Sequence, residues 1–228
     1  HRCRTDVTEE GVVPGQYVEE VSEGLVDYDI LVEINREILE GGHDLILSIG
    51  QVVPHEVVGM ANYTKNIVVG CGGKDIIDKS HFLGAVYGME RLMGRDHSPV
   101  RKVFDYAQEN FLGNLPLAYI LTVTVTKGGS TSLRGLFMGR DRRVFEEAVA
   151  FSQKCNLDIL EEPLQKVLVY LEPNEFKSTW LGNKAIYRTR MAIADGGELI
   201  ILAPGVRMFG EDPEIDRLIR SYGYPGRG

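Results

Sequence analysis

Two rhythms of apolar residues run along the chain. Residues 119–126, YILTVTVT, alternate with period two and are rich in β-branched side chains, the pattern of a strand with one buried face. KGGSTS then reads as a turn, and LRGLFMG as the returning strand of a hairpin. Residues 30–34 predict a shorter strand. Residues 44–49, DLILSI, are a continuous apolar run closed by Gly50, which predicts a strand buried on both faces. Helical spacing covers 74–93 with an end near Gly94, then 99–110, then 141–154, where Asp141 is an N-cap and Asn156 a stop. Segments 6–10 and 14–23 read as short polar helix or loop pieces, and residues 67–69 as a short strand before the glycine turn 70–73.

A second block repeats the alternation of strand and helix. KVLVYLEP is a strand, and 178–194 is helical with Ser178 as a possible N-cap, broken by Gly196 and Gly197. ELIILAPG is the next strand, and 212–221 a helix with Asp212 at the N-cap and Pro213 at the first helical position. Strand, helix, strand, helix implies a parallel pair joined by a right-handed crossover. The expected class is α/β, in two lobes with largely parallel mixed sheets flanked by helices. The lobes are residues 1–158, incomplete at the N-terminus, and 159–228, with the ligand site at strand C-terminal ends and the cleft between lobes.

Composition narrows the function classes. The net charge of −8 argues against a nucleic-acid surface, which would carry a basic stripe. No stretch approaches the roughly 20 apolar residues that span a bilayer. Three cysteines without CxxC spacing give neither a zinc site nor a disulfide framework, and a cytoplasmic setting is expected. The chain begins at His1 without an initiator Met or a secretory leader, so a part of a longer polypeptide is expected.

Five histidines are the main candidates for chemistry. His43 and His97 stand among Gly, Asp and Ser and read as solvated. His55 falls beyond the carboxyl end of the 44–49 strand, where open α/β sheets bind ligands, although position alone also suits a loop histidine. Lys65 reads alone as a surface lysine, and His81, inside a helical stretch, as a structural residue. The Gly70–Cys71–Gly72–Gly73 turn has neither the P-loop nor the dinucleotide glycine spacing.

Taken together these residues resemble a family. The spacing H-x9-K-x15-H, with Gly59 after the first histidine, is similar to the nickel-pincer lactate racemases, whose PHxxAGxxGGxK stretch reads here PHEVVGMANYTK. HRCRTDVTEE resembles the family's HRPxTxEE. LRGLFMGRDRRVFEEAVAFSQK resembles its VxGVFAGDxxxAHxxG hairpin and helix, and STWLGNKAIYRTRMAIADGGELIILAP resembles LYQSxKAL followed by GGEIILVA. The resemblance spans essentially the whole chain, while family members are about twice as long.

The resemblance implies a racemase or epimerase of 2-hydroxy acids. Lys65 matches the lysine that carries the pyridinium mononucleotide cofactor through a thioamide, and His81 the imidazole that completes the square-planar nickel beside two sulfurs and a ring carbon. The cofactor phosphate is expected against the backbone of Gly70, Gly72 and Gly73. His1 and His55 match the two bases, one for each enantiomer, and Lys184 the cation for the substrate carboxylate. The implied partners are a small-molecule 2-hydroxy acid and the enzymes that make the cofactor.

Two departures bear on substrate. The family's Gly-Gly before the lysine is Asn62-Tyr63, followed by Thr64, and its Tyr-Gln pair is Trp180-Leu181. Placed beside the cofactor, Asn62, Tyr63, Trp180 and Leu181 would favour a longer or aromatic hydroxy acid over lactate. The alternative reading is a homologue that binds a nucleotide or organic acid without turnover, marked by Leu181 where the family has glutamine.

Overall fold

β1 (Val7–Val13) and β2 (Ile30–Asn35) form an antiparallel pair, joined through α1 (Gly15–Val21), in a computed structural model that describes residues 6–224. Residues 7–10 are therefore strand, not the polar helix or loop expected. Their backbone groups find partners in β2, and their side chains stay at least partly exposed. The ladder shifts register between Glu9 and Gly11, where an added Cβ would lie 2.2 Å from the Phe111 ring, so glycine allows that aromatic to close on the sheet.

After α2 (Arg36–Glu40), whose N-terminus is capped by Asn35, the chain enters β3 (Ile46–Gln51). The two-residue strands β4 (Pro54–His55) and β5 (Gly59–Met60) pair as a tight hairpin, followed by α3 (Thr64–Val68) and α4 (Lys74–Tyr87). Residues 67–69 are thus the end of a short helix and its cap, not a strand. The helix expected over 74–93 divides at Gly88, whose φ of 100° interrupts it, and resumes as α5 (Met89–Leu92). α6 (Pro99–Phe111) starts as its sequence requires, with Ser98 accepting the Arg101 amide hydrogen and Pro99 in the first turn.

β6 (Leu117–Lys127) and β7 (Ser130–Gly139) are the expected hairpin, turning through Gly128 and Gly129, both with positive φ. β6 also pairs in parallel with β3, giving a mixed sheet in the order β3-β6-β7. α7 (Arg142–Asn156) packs on β6 and β7. β3 is not buried on both faces, contrary to the expectation from its apolar run. Ser48 turns inward, while Leu47 and Ile49 are 50% and 63% exposed on the outer face. The main core lies on the inner side, built from Ile30, Val32 and Ile34, from Val103, Phe104 and Ala107, and from Tyr119, Leu121 and Phe145.

The chain divides into two compact units, His1–Asp158 and Ile159–Gly228. The second contains β8 (Leu164–Tyr170), α8 (Thr179–Gly182), α9 (Lys184–Thr189), β9 (Ile193–Leu202) and α10 (Pro213–Tyr222). β8 and β9 are parallel, as the alternation predicts. The long helix expected over 178–194 is instead two short ones meeting at Asn183, and strand pairing already begins at Ile193, opposite Leu164.

Candidate functional site

The hairpin after β3 presents His55. Val52 and Ala61 anchor its two stems, donating to the carbonyls of Thr122 and Val53. The turn needs Gly59, whose φ is 88° and whose Cβ, if added, would lie 2.2 Å from the Arg95 carbonyl oxygen. His55 is half-buried, and its Nδ1 accepts the Val57 amide hydrogen at 3.1 Å. In the neutral ring the proton therefore sits on Nε2.

From β5 the chain turns sharply into α3, where Lys65, half-buried, occupies the first turn. The turn is made by Asn62 (φ 72°) and Tyr63 (φ 58°, ψ −138°), two consecutive non-glycine residues in left-handed conformations. Such conformations cost on the order of 1–3 kcal/mol each and persist only where the surroundings impose them. These are the two positions at which the family motif carries glycine.

The expectation that Asn62 and Tyr63 face a substrate is corrected by their burial, which leaves them 2% and 3% exposed. Asn62 Oδ1 accepts hydrogen bonds from the Tyr63 amide and from Asn66 Nδ2, both at 2.7 Å. Its Nδ2 has no hydrogen-bond partner among the described residues and fills the space over Gly50, where a Cβ would meet it at 2.7 Å. The Tyr63 ring stacks on Phe145 with centroids 4.9 Å apart, and its hydroxyl donates to the Arg140 carbonyl at 2.8 Å. Burial, then the charge of Asp105, pushes the Tyr63 phenol up to about 12, so it remains a donor at neutral pH. Thr64 is wholly buried as well.

His81 lies on α4 as predicted, but exposed rather than buried, with Nδ1 2.6 Å from the Ile77 carbonyl one turn earlier. One turn later on the same helix Gly84 permits close approach to the His55 hairpin, since an added Cβ would sit 2.9 Å from the Val57 carbonyl oxygen. The hairpin of His55 thus packs against the helix of His81, and Lys65 is on the helix just before it.

The glycine turn between α3 and α4 does something other than the expected phosphate binding. The amide of Gly70 donates to Lys65 O, that of Cys71 to Ile67 O, that of Gly72 to Val69 O and that of Gly73 to Glu33 O. Gly72 also bridges to Ile34, and Cβ atoms at Gly72 and Gly73 would meet Val68 O at 1.9 Å and the Glu33 side chain at 2.3 Å. The close approach these glycines allow is to the protein itself, to the last carbonyl of α3 at Gly72 and to the β2 edge at Gly73.

A group that sequence reading missed lies behind α3. Arg101 is fully buried on α6, and its guanidinium reaches Met60 O (2.6 Å), Asn62 O (3.1 Å) and Thr64 Oγ1 (2.7 Å). Thr64 donates to Asp105 (2.7 Å), which also pairs with Arg142. Burial lowers the Arg101 pKa to about 10, opposed by Asp105, so it stays charged at neutral pH. Burial likewise raises Asp105, opposed by Arg101 and Arg142. A signal was present: Arg101, Phe104 and Gln108 recur at helical spacing, which sets two polar residues in the buried stripe of α6.

In the second unit, Ser178 caps α8 by accepting the Leu181 amide hydrogen. Trp180 is 50% exposed, while Leu181 and the Lys184 that opens α9 are half-buried. His1 lies outside the described residues. In the first unit a cavity of about 430 Å³ is lined by Tyr63, Gln108 and Arg140–Arg142 among others, and His55, Lys65 and His81 are not in its lining. Among the described residues no group of three or more His, Cys, Asp or Glu could hold a metal ion, and no helix is long and apolar enough to cross a membrane.

No family model and no curated protein matches the chain. Among solved structures it is similar to a protein from Thermotoga maritima, with a TM-score of 0.85 and 26% identity over 98% of this chain and 54% of that one. It is also similar to the lactate racemase apoprotein from Thermoanaerobacterium thermosaccharolyticum, with a TM-score of 0.62 and 17% identity over 90% of this chain and 45% of that one. The second likeness is one of fold. The chain spans about half the length of either structure.

Proposed function

We propose that the protein is a racemase or epimerase that inverts the C2 centre of a 2-hydroxy acid, using a nickel-pincer nucleotide carried on Lys65. The observation behind this reading is the backbone just before Lys65. Asn62 and Tyr63, at the positions of the family's Gly-Gly pair, both have positive φ, a conformation that glycine adopts freely, asparagine tolerates and tyrosine rarely takes. Their side chains turn inward, so the exposed side of the turn remains as bare as glycine would leave it.

The residues present fit the cofactor. A nickel whose other donors are the cofactor's own sulfurs and ring carbon asks the protein for one imidazole, and His81 offers an exposed one on α4. Lys65 would hold the nucleotide covalently. Since the amides of the 70–73 turn are engaged within the protein, the phosphate contact is not assigned to Gly70, Gly72 or Gly73.

When bound, the cofactor supplies a reversible acceptor for the C2 hydride. His55 handles the hydroxyl proton. With Nδ1 accepting from Val57, the neutral ring holds its proton on Nε2 and donates a hydrogen bond to the substrate oxygen; the hydroxyl proton is returned from the imidazolium formed once the ring has acted as base. To act as base at Nε2 it must carry its proton on Nδ1 instead, which gives up the Val57 bond. His1 is the proposed second base and Lys184 the proposed carboxylate anchor, both by resemblance. A substrate larger than lactate now rests on Trp180 and Leu181 alone, because Asn62 and Tyr63 are buried.

The test is an assay of cofactor-loaded protein on C2-deuterated hydroxy acids, with chiral chromatography of the products. Inversion that retains deuterium, with His55→Gln reducing the rate by roughly 10²-fold or more, is the expected result. Inversion with exchange of C2 deuterium into solvent would point to direct deprotonation and overturn the hydride reading.

A further inference from the structure

The turn that delivers Lys65 is strained, and one buried side chain holds it at three points. Arg101 holds the carbonyls of Met60 and Asn62 and the hydroxyl of Thr64, which bracket the left-handed pair Asn62–Tyr63 on both sides. It is 0% exposed, and its guanidinium lies 4.5 Å from the centroid of the Phe145 ring on which Tyr63 stacks. Thr64 passes the contact to Asp105, and Asp105 to Arg142. A planar guanidinium reaches several acceptors at once in a fixed fork, which a lysine ammonium on a flexible stem does not reproduce.

We infer that Arg101 is a positioning residue, whose buried guanidinium clamps the strained Met60–Thr64 backbone and thereby sets the first turn of α3 and the placement of Lys65. The functional consequence rests on the reading of Lys65 as the cofactor's attachment point. The clamp itself does not.

A residue that merely fills the core and a clamp on a strained turn respond differently to glycine at position 62. Glycine adopts a φ of 72° without strain and has less need of being held. The experiment is a double-mutant cycle of Arg101→Lys and Asn62→Gly in the full chain, read by thermal unfolding and by amide hydrogen exchange. Arg101→Lys is expected to lower Tm by about 5–10 °C and to speed exchange of the α3 amides by roughly tenfold relative to those of α10. In the Asn62→Gly background at least half of both effects should disappear. Equal losses in the two backgrounds, or faster exchange spread evenly over α6 and α7, would overturn the clamp. If Arg101→Lys does not fold, Thr64→Val takes its place, since it removes one of the guanidinium's acceptors. Its losses should likewise shrink by at least half in the Asn62→Gly background, and equal losses would again overturn the clamp.

A second arm reads the consequence. In cofactor-loaded protein, Arg101→Lys should lower the fraction of Lys65 carrying the adduct by about tenfold, and Asn62→Gly should restore most of it. A wild-type chain that acquires no adduct on Lys65 would refute the attachment reading, and the clamp would then stand or fall on the stability cycle. An adduct fraction unchanged in Arg101→Lys would separate the clamp from Lys65.

Discussion

Gly59 and the Asn62–Tyr63 pair show how much of this site is decided by backbone conformation. Gly59 sits at φ 88° with the Arg95 and Leu92 carbonyls within 2.7 Å of where a Cβ would be. Neither oxygen belongs to a flexible side chain that could move aside. Gly59→Ala should therefore destabilise the protein by roughly 2–4 kcal/mol through strain and clash together, measured by urea unfolding. A loss below about 1 kcal/mol would mean that the hairpin relaxes freely. Tyr63 bears its strain because its ring is stacked and its hydroxyl bonded to Arg140 O. Removing that hydroxyl with Tyr63→Phe should cost about 1 kcal/mol, and no measurable loss would show the bond to be replaceable.

At the scale of elements, α6, α8 and α10 start as their sequence signals require, with Ser98, Ser178 and Asp212 each accepting a cap hydrogen bond, whereas Asp141 stands at the start of α7 without a side-chain cap bond. Asp212 accepts the Ile215 amide hydrogen at 2.9 Å, and its replacement by alanine should weaken α10 by about 1 kcal/mol. Asp216 on the same helix accepts from Arg220 and from the amides of Phe209 and Gly210, and these bonds, Arg220 first, hold its carboxyl below the usual 3.8. A depressed carboxyl contributes stability above its unfolded value and loses it as pH falls through the folded one. The protection of the Phe209 and Gly210 amides, taken relative to the intrinsic exchange rate at each pH, should thus fall below about pH 4 in the native protein, and Asp216→Asn should remove that dependence. A profile unchanged by Asp216→Asn would place the titration elsewhere.

The same elements show what was legible in the sequence. The β6–β7 hairpin and the helices α6, α7 and α10 were readable because period, caps and turn glycines agree. β1 was not, because a polar strand is held by its ladder to β2 and not by its own pattern. α3 was not, because five residues ending in Ile67 and Val68 look β-branched while their geometry is imposed by the turn before them. The inward direction of Asn62 and Tyr63 and the burial of Arg101 depend on long-range packing that local pattern does not encode.

For the molecule as a whole, the outer face of the β3-β6-β7 sheet stands out. Ile49, Ile120 and Met138 align across the three strands, with Leu47 and Leu136 beside them, and Ile49 and Met138 are each 63% exposed. A parallel pair such as β3 and β6 is ordinarily covered on both faces, and contiguous apolar surface of this kind promotes association. The chain on its own should therefore self-associate in light scattering and bind a hydrophobic dye, and the double variant Ile49→Lys, Met138→Glu should suppress both. A wild-type chain that stays monomeric and dye-free at roughly tens of micromolar, where exposed apolar surface drives association, would contradict this.

The function proposed for the site stands most directly on Lys65. The decisive measurement is peptide mass mapping of the chain after co-expression with the enzymes that make the pincer cofactor, with nickel supplied. A nucleotide adduct is expected on the peptide containing Lys65, with nickel bound in proportion to it, and both should be lost in Lys65→Ala. An unmodified Lys65 in protein that remains folded, or an adduct that persists on another residue in Lys65→Ala, would contradict it.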